Sequence, residues 1–218
     1  MNDWTIWQLA DSALPSGGFA HSAGLEAAFQ AGEVTTDAEL RQFLVDSVWQ
    51  AGHAMLPVVT SAHRDPSRID ELDALCEAFL TNAVANRASR VQGRAFLGAC
   101  LRIWPSKDLE ALDARMRSRC GHQAAIVGAA LRLLGVPLET TQRLAIFTSC
   151  RGILAAAVRL GIVGPYRAQR LQHECGPAVG DVLSRCGALT DDDLAQTAPV
   201  IDLLQSSHDR LYSRLFQS

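Results

Sequence analysis

Apolar residues at helical spacing most constrain the fold of this 218-residue chain. Between positions 40 and 51, leucine, phenylalanine, valine and alanine recur every three or four residues, as expected for one buried face of a helix. The same spacing returns along most of the chain, and no two alternating runs joined by a turn dipeptide indicate a hairpin. The sequence therefore predicts an all-α protein, a single-domain bundle of about nine or ten helices over residues 1–218.

Capping residues and prolines predict where the helices begin and end. Thr36 and Glu39 have the spacing of a capping box, which predicts a helix start. Pro57 predicts a kink or an end in the helix that begins at this capping box, because proline removes a backbone hydrogen bond. In later helices the spacing predicts buried stripes that include Val91 and Phe147.

Composition indicates a cytoplasmic protein without a membrane span. No run of 18 or more apolar residues is present, and no charged-then-apolar leader opens the chain. The six cysteines are widely spaced without a C-x-x-C pair, so we expect neither a disulfide framework nor a zinc site. We expect most of the cysteines to be buried fillers, and we expect no bound metal or cofactor.

Charge is unevenly distributed along the sequence. Residues 1–80 carry 12 acidic and 3 basic side chains, whereas residues 81–170 carry 14 basic and 4 acidic ones. Such asymmetry indicates either a face for a partner or pairing within the molecule, and the sequence favours neither. Nucleic acid is a weaker alternative, because the basic segment has few aromatic residues on which bases could stack.

One short motif raises the question of catalysis. Ala20-His21-Ser22-Ala23-Gly24 lies one residue away from the G-x-S-x-G turn of serine hydrolases. That turn must follow a strand, but proline and paired glycines occupy the preceding positions. A small serine hydrolase that uses Ser22 is therefore kept only as the alternative function. A P-loop nucleotidase is excluded because the one lysine, Lys107, follows Pro105-Ser106 rather than a glycine-rich loop.

The two ends of the chain are the most informative parts. The segment Leu14–Phe19 is rich in proline and glycine, and it is either a connector between helices or a binding surface on a rigid scaffold. The last residues contain two aromatic side chains, which predicts that this terminus docks onto the protein's own core or onto a partner. The arginines near Arg90 form either a solvated helix face or a site.

Four blocks of the sequence resemble the urease accessory protein UreF family. The family's opening signature is matched from Trp7 to Ser12 and then over Leu14–Phe29, LPSGGFAHSAGLEAAF. Its closing signature is matched by SSHDRLYSRLFQS, Ser206–Ser218. Between them, Ser89–Leu97 and Ala157–Gly164 give weaker support.

This resemblance implies a function as well as a fold. It implies a non-enzymatic, all-helical homodimer that binds the accessory proteins UreD (also called UreH) and UreG, a GTPase. The assembled complex would couple GTP hydrolysis to nickel insertion into apo-urease.

The resemblance also implies which residues contact partners. Residues 206–218 would form a partner-docking tail in which Arg214 is the polar anchor. The loop near the N-terminus would lie at the dimer centre or the partner face, or else form a rigid corner between helices. The predicted partner-binding residues are Pro15, Gly17, Gly18, Phe19, His21, Ser22, Glu26, Arg90, Tyr212, Ser213, Arg214 and Phe216.

Overall fold

The fold is entirely helical in residues 3–218, which are the residues that the computed structural model describes. The predicted all-α class is confirmed. Short 3-10 turns lie at Gly18–Ala20, Pro66–Arg68, Asp191–Asp193 and His208–Arg210. Within the described residues the α-helices are α1 (Asp3–Ala10), α2 (Leu25–Gln30), α3 (Asp37–Ala54), α4 (Leu56–Arg64), α5 (Ile69–Phe79), α6 (Ala83–Ile103), α7 (Lys107–Met116), α8 (Gln123–Leu133), α9 (Leu138–Arg159), α10 (Pro165–Glu174), α11 (Gly176–Cys186) and α12 (Pro199–Ser206).

Two of the helix boundaries are single-residue breaks in longer helical runs. Met55 separates α3 from α4, and Pro57 lies in the first turn of α4, as the sequence predicted. Cys175 separates α10 from α11 in the same way, next to a proline in the first turn of α11. When each pair is counted as one kinked helix, the described part of the chain contains ten, which agrees with the predicted nine or ten.

The capping box at the start of α3 is present. The Thr36 hydroxyl accepts the Glu39 amide at 3.3 Å, and Glu39 Oε2 accepts the Thr36 amide at 2.8 Å. Backbone and side-chain hydrogen bonds from Thr35 and Thr36 lower the pKa of Glu39 to about 2. The local sequence therefore fixes this helix start.

Helix α4 lies at the centre of the bundle. Its residues from Leu56 to His63 are all buried, which is the pattern of a helix surrounded by others. It packs against α3, α5, α8 and α9. The closest of these contacts requires Gly128 in α8, because a Cβ there would lie 2.4 Å from the Val59 carbonyl oxygen.

Polar side chains on α4 are satisfied inside the core. Thr60 accepts a hydrogen bond from Gln142 Nε2 at 2.9 Å, and His63 Nε2 donates to the Val136 carbonyl at 2.7 Å. Burial lowers the pKa of His63 below its ordinary value. His63 is therefore a core histidine with a structural hydrogen bond.

Many of the uneven charges pair within the molecule. Arg167 contacts both Asp37 and Glu174, while Arg115 and Arg119 share Asp70. These pairs join the basic middle of the chain to its acidic flanks. They support the interpretation that the charge asymmetry is at least partly neutralised internally.

Two predicted core positions are wrong. Val91 is 44% exposed and Phe147 is 36% exposed. Val91 lines an open cleft and is not covered by a neighbouring helix. The centre of the Phe147 ring lies 5.6 Å from the Arg151 guanidinium. Helical spacing identifies a face, but it does not tell whether a neighbour covers that face along its whole length.

The cysteines agree with the sequence analysis, since all six are free and five are buried. Among the residues from 3 onward, no helix combines the length and apolarity needed to cross a membrane.

Candidate partner-binding surface

The loop between α1 and α2, residues 11–24, packs closely onto neighbouring helices. Gly17 has φ +77°, and a Cβ there would lie 3.3 Å from Ala95 Cβ. Gly24 has φ +87°, and a Cβ there would lie 3.0 Å from Gln205 Cβ. Both glycines combine a left-handed backbone with a close approach, so the loop is a shaped corner between helices. Pro15 lies exposed on it.

A buried carboxylate attaches the C-terminal tail to this corner. Glu26, on α2, is 1% exposed. Its Oε1 accepts the Leu215 amide at 2.6 Å, and its Oε2 accepts the Phe216 amide at 3.1 Å. His208 donates from Nε2 to Oε2 at 2.9 Å. Hydrogen bonds to a charged group are worth about 1.5–3 kcal/mol each, so Glu26 is the main polar attachment of the tail.

The last residue of the tail contacts the histidine and serine of the loop. The Ser22 amide donates to the Ser218 backbone oxygen at 2.6 Å, and the Ser22 hydroxyl donates to the same oxygen at 3.1 Å. His21 Nδ1 is hydrogen-bonded to the Ser218 hydroxyl. Burial, together with the charges of Arg87 and His208, lowers the pKa of His21. The loop and the tail therefore satisfy each other's polar groups in one contact.

Arg159, at the end of α9, lies between two aromatic rings. Its guanidinium is 4.0 Å from the centre of the Phe19 ring and 4.1 Å from that of Phe216. It also donates to the Phe19 carbonyl oxygen. One cation thus joins the loop, the tail and α9.

The middle of the tail faces outward. Tyr212, Ser213 and Leu215 are exposed, and Phe19 of the loop is 71% exposed on the same side as Arg159. Gln30 donates to the Ser213 carbonyl at 2.9 Å, which holds the exposed segment against α2. Aromatic and apolar side chains presented on an anchored segment are suited to protein contact.

The structure brings most of the predicted partner-binding residues together but gives them different roles. Phe19 and Tyr212 are presented to the outside. His21, Ser22, Glu26 and Phe216 are instead buried in the contact between loop and tail; a partner can reach these four only if the tail moves. Together with their neighbours these residues form one junction between loop and tail, which contains Gly17, Gly18, Phe19, His21, Ser22, Glu26, Tyr212, Ser213, Arg214 and Phe216.

Arg90 and Arg214 have contacts of their own within the chain, and their predicted partner-binding roles stay predictions. Arg214 is 3.3 Å from Asp209 and so pairs within the tail, where Asp209 also binds Arg87 at 2.8 Å. Arg90 lies in a separate cleft on α6, beside Glu77. In this conformation Arg214 still has a side chain that is 45% exposed.

The geometry at Ser22 does not suit a nucleophile. Its side chain is fully buried, and its hydroxyl proton is directed to a backbone oxygen. The adjacent His21 ring is bound to Ser218 instead. No strand precedes the motif in the described part of the chain, so the strand–turn–helix context of a nucleophile elbow is missing there.

Sequence reasoning missed three residues of the junction. Arg159, His208 and Gln30 each bridge loop, tail or helix, but each is separated from its partner by more than a hundred residues. Arg159 and His208 do lie in segments that resemble the UreF family, which was the only available signal.

A group of possible metal ligands lies outside the contact between loop and tail. Within residues 3–218, one group of at least three possible ligands has its ligand atoms close enough for a shared ion, and it consists of Glu77, Cys120 and His122. The sequence analysis expected no metal site, because the cysteines form no C-x-x-C pair; Cys120 and His122 are two residues apart, but Glu77 lies more than forty residues before them.

Comparison with known proteins identifies relatives along nearly the whole chain. The family model UreF matches residues 34–176. A protein named urease accessory protein F from Oryza sativa subsp. indica is 38% identical, and the alignment covers 98% of this chain and 84% of that protein. The protein of the same name from Arabidopsis thaliana is also 38% identical, with 99% and 92% covered.

A bacterial relative gives the same result at lower identity. Urease accessory protein UreF from Arthrobacter sp. (strain FB24) is 30% identical, with 98% of this chain and 96% of that protein covered. The loop and the tail lie outside residues 34–176, but these full-length alignments extend over them.

Proposed function

The chain belongs to the UreF family of urease accessory proteins, and we propose that it acts in urease maturation as a non-catalytic scaffold. In this role it binds UreD (UreH) and the GTPase UreG as a cytoplasmic homodimer. The complex couples GTP hydrolysis to nickel insertion into the urease apoprotein. The main support is the alignment with urease accessory proteins over 98% of the chain.

The arrangement of the tail supports a partner-binding role. The tail is anchored where Glu26 accepts the Phe216 amide. Tyr212 lies between this anchor and the His208 turn, and its side chain is fully exposed. An anchored segment loses less conformational entropy on binding than a free one. We assign UreD contact to the exposed side chains of the tail, and to Phe19 beside it.

A point substitution tests this assignment more sharply than a deletion. Removing residues 209–218 would also strip two amide donors from the buried Glu26 carboxylate and would disturb the fold. Tyr212→Ala removes an exposed ring only. We expect Tyr212→Ala to weaken co-purification with UreD by about 2 kcal/mol, the usual cost of losing an aromatic hot spot.

Tyr166→Ala is the matched control. Tyr166 is 92% exposed on α10 and is not part of the tail, so its loss should leave UreD binding unchanged. Far-UV circular dichroism checks that both variants keep their helices. Equal binding of UreD by Tyr212→Ala and the unmodified chain would show that the tail is not the contact.

Urease activation tests the function itself. Apo-urease incubated with UreD, UreG, GTP and nickel should gain activity when this chain is added, and light scattering of the chain alone should give twice the monomer mass. Activation that is unchanged without the chain would contradict the scaffold role.

A further inference from the structure

We propose that Glu77, Cys120 and His122 form a binding site for one divalent transition-metal ion of the Zn²⁺ and Ni²⁺ class. Their ligand atoms all lie within 4.8 Å of one another. His122 Nε2 is 2.9 Å from Glu77 Oε2. A thiolate, an imidazole and a carboxylate together are a donor set typical of borderline divalent ions.

The backbone that carries two of these ligands is held in place. Asp73, buried on α5, accepts the Cys120 amide at 2.9 Å and the His122 amide at 2.7 Å. Gly121 between them has φ +77°. Helix α6 contacts this turn so closely that a Cβ on Gly93 would lie 2.2 Å from the Gly121 carbonyl oxygen. The site is thus preorganised before any ion arrives.

A second layer of hydrogen bonds fits metal binding. Ser89 Oγ is 3.1 Å from His122 Nδ1, and a hydroxyl can either donate or accept there. When Nδ1 donates to Ser89, the Nε2 lone pair faces the Glu77 carboxylate, and a cation between them removes the repulsion. Asn86 Nδ2 donates to Glu77 Oε2 at 3.0 Å and orients that carboxylate.

The charges balance when an ion is bound. A divalent ion displaces the thiol proton of Cys120 to solvent and forms the metal–sulfur bond. The thiolate and the carboxylate then neutralise its two charges.

The site remains open on one side. Glu77 lines a cleft of about 700 Å³ together with Arg87, Arg90 and Arg94. Three protein ligands leave a fourth tetrahedral position for water or an exchangeable ligand. Such a site binds an ion that can be passed on, in contrast to a closed structural zinc site.

Metal titration of the full-length protein tests the proposal. Calorimetry with Zn²⁺, Ni²⁺ and Co²⁺ should show one ion per chain, and the Co²⁺ form should show a thiolate-to-metal charge-transfer band. Cys120→Ser should abolish that band, and Glu77→Gln should weaken binding. Ser89→Ala, which removes the second-layer contact together with the hydrogen bond accepted from the Gln123 amide, should weaken binding by about 10–100-fold.

A second cysteine–histidine pair provides the control. Cys186 Sγ is 3.4 Å from His53 Nδ1, so Cys186→Ser removes a similar pair that belongs to no three-ligand group in the described residues. It should leave binding and spectrum unchanged. Circular dichroism verifies that every variant is folded.

Absence of binding at one equivalent, or a band and an affinity that survive Cys120→Ser, would overturn the site. Neither measurement involves UreD, UreG or urease. A failure here therefore leaves the proposed scaffold role standing, and a failure of the scaffold role leaves the site standing.

Discussion

Two buried carboxylates hold distant backbone segments in the same way, but they hold different kinds of segment. Asp73 accepts two amides of the turn that contains Cys120 and His122, which we call the Asp73 junction. Glu26 accepts two amides of the C-terminal tail, which we call the Glu26 junction. The turn lies between α7 and α8, whereas the tail follows α12 and is also held by Gln30 and Ser22.

The histidines beside the two carboxylates also differ. In the Asp73 junction both ring nitrogens of His122 have hydrogen-bond partners. In the Glu26 junction, His21 Nε2 and His208 Nδ1 are buried without a partner among the described residues. A buried polar atom without a partner costs about 1–3 kcal/mol. The comparison teaches that the Asp73 junction belongs to the core, whereas the Glu26 junction is a separable contact.

The largest effect is expected from Asp73→Asn. The amide of this variant cannot accept both backbone N–H groups equally, so one of them loses its acceptor inside the core. We expect the free energy of unfolding to fall by about 2–3 kcal/mol in urea denaturation. Asp113→Asn, which on α7 removes an i,i+4 ion pair with the exposed Arg117, should change it by about 0.5 kcal/mol or less. A stability loss no larger than that of the control would remove the contrast between the junctions.

Glu26→Gln should act on the tail rather than on the whole fold. We expect hydrogen exchange at the Phe216 amide to accelerate about tenfold, which corresponds to 1–2 kcal/mol of tail docking. Global unfolding in urea should change by less than that amount. Glu139→Gln, an exposed substitution on α9, serves as the control. If exchange accelerated equally in α4 and in the tail, the Glu26 junction would be part of the core after all.

Tail docking should also weaken in acid. The pKa of His21 in the docked state lies below its ordinary value of 6.5, because of burial and the charges of Arg87 and His208. The undocked state therefore binds more protons between these two pKa values, and docking is lost as pH falls through this window. The slope cannot exceed about 1.4 kcal/mol per pH unit for one group. Hydrogen exchange of the Phe216 amide, referenced to the unfolded chain at each pH, measures how the free energy of tail docking depends on pH. The substitution His21→Gln should flatten this pH dependence.

Arg159→Gln is expected to have the smallest effect. It removes the cation between the Phe19 and Phe216 rings, which is worth about 0.5–1 kcal/mol at an exposed site. Protease cleavage of the tail should become up to a few times faster, without a change in global stability. Arg143→Gln on the same helix should leave cleavage unchanged. Unaltered cleavage in Arg159→Gln would show that the cation between the two rings does not help to hold the tail.

Local features of the fold could be predicted from the sequence, because they depend on neighbours within a turn or two. The capping box at Thr36 and the break at Pro57 are examples. The junctions could not be predicted in this way. Glu26 lies 182 residues before His208, and no local pattern tells which buried carboxylate meets which amide.

The candidate surfaces were predicted only in part for the same reason. The resemblance to the UreF family placed the loop and the tail among the functional segments, but it did not indicate that Phe216 packs inward while Tyr212 points outward. The cluster of Glu77, Cys120 and His122 gave at most a partial sequence signal. Cys120 and His122 are two residues apart, but Glu77 on α5 meets them only in the folded chain.

The contact between Ser22 and Ser218 also has a consequence for synthesis. The ribosome makes the loop before the tail, so the loop lacks this contact until the tail has been synthesised. Until then the Glu26 carboxylate and the His21 ring lack the tail groups to which they are hydrogen-bonded. A chain that stops short of the tail therefore differs at the loop as well, and only a chain that carries the tail offers the closed corner to an assembly partner.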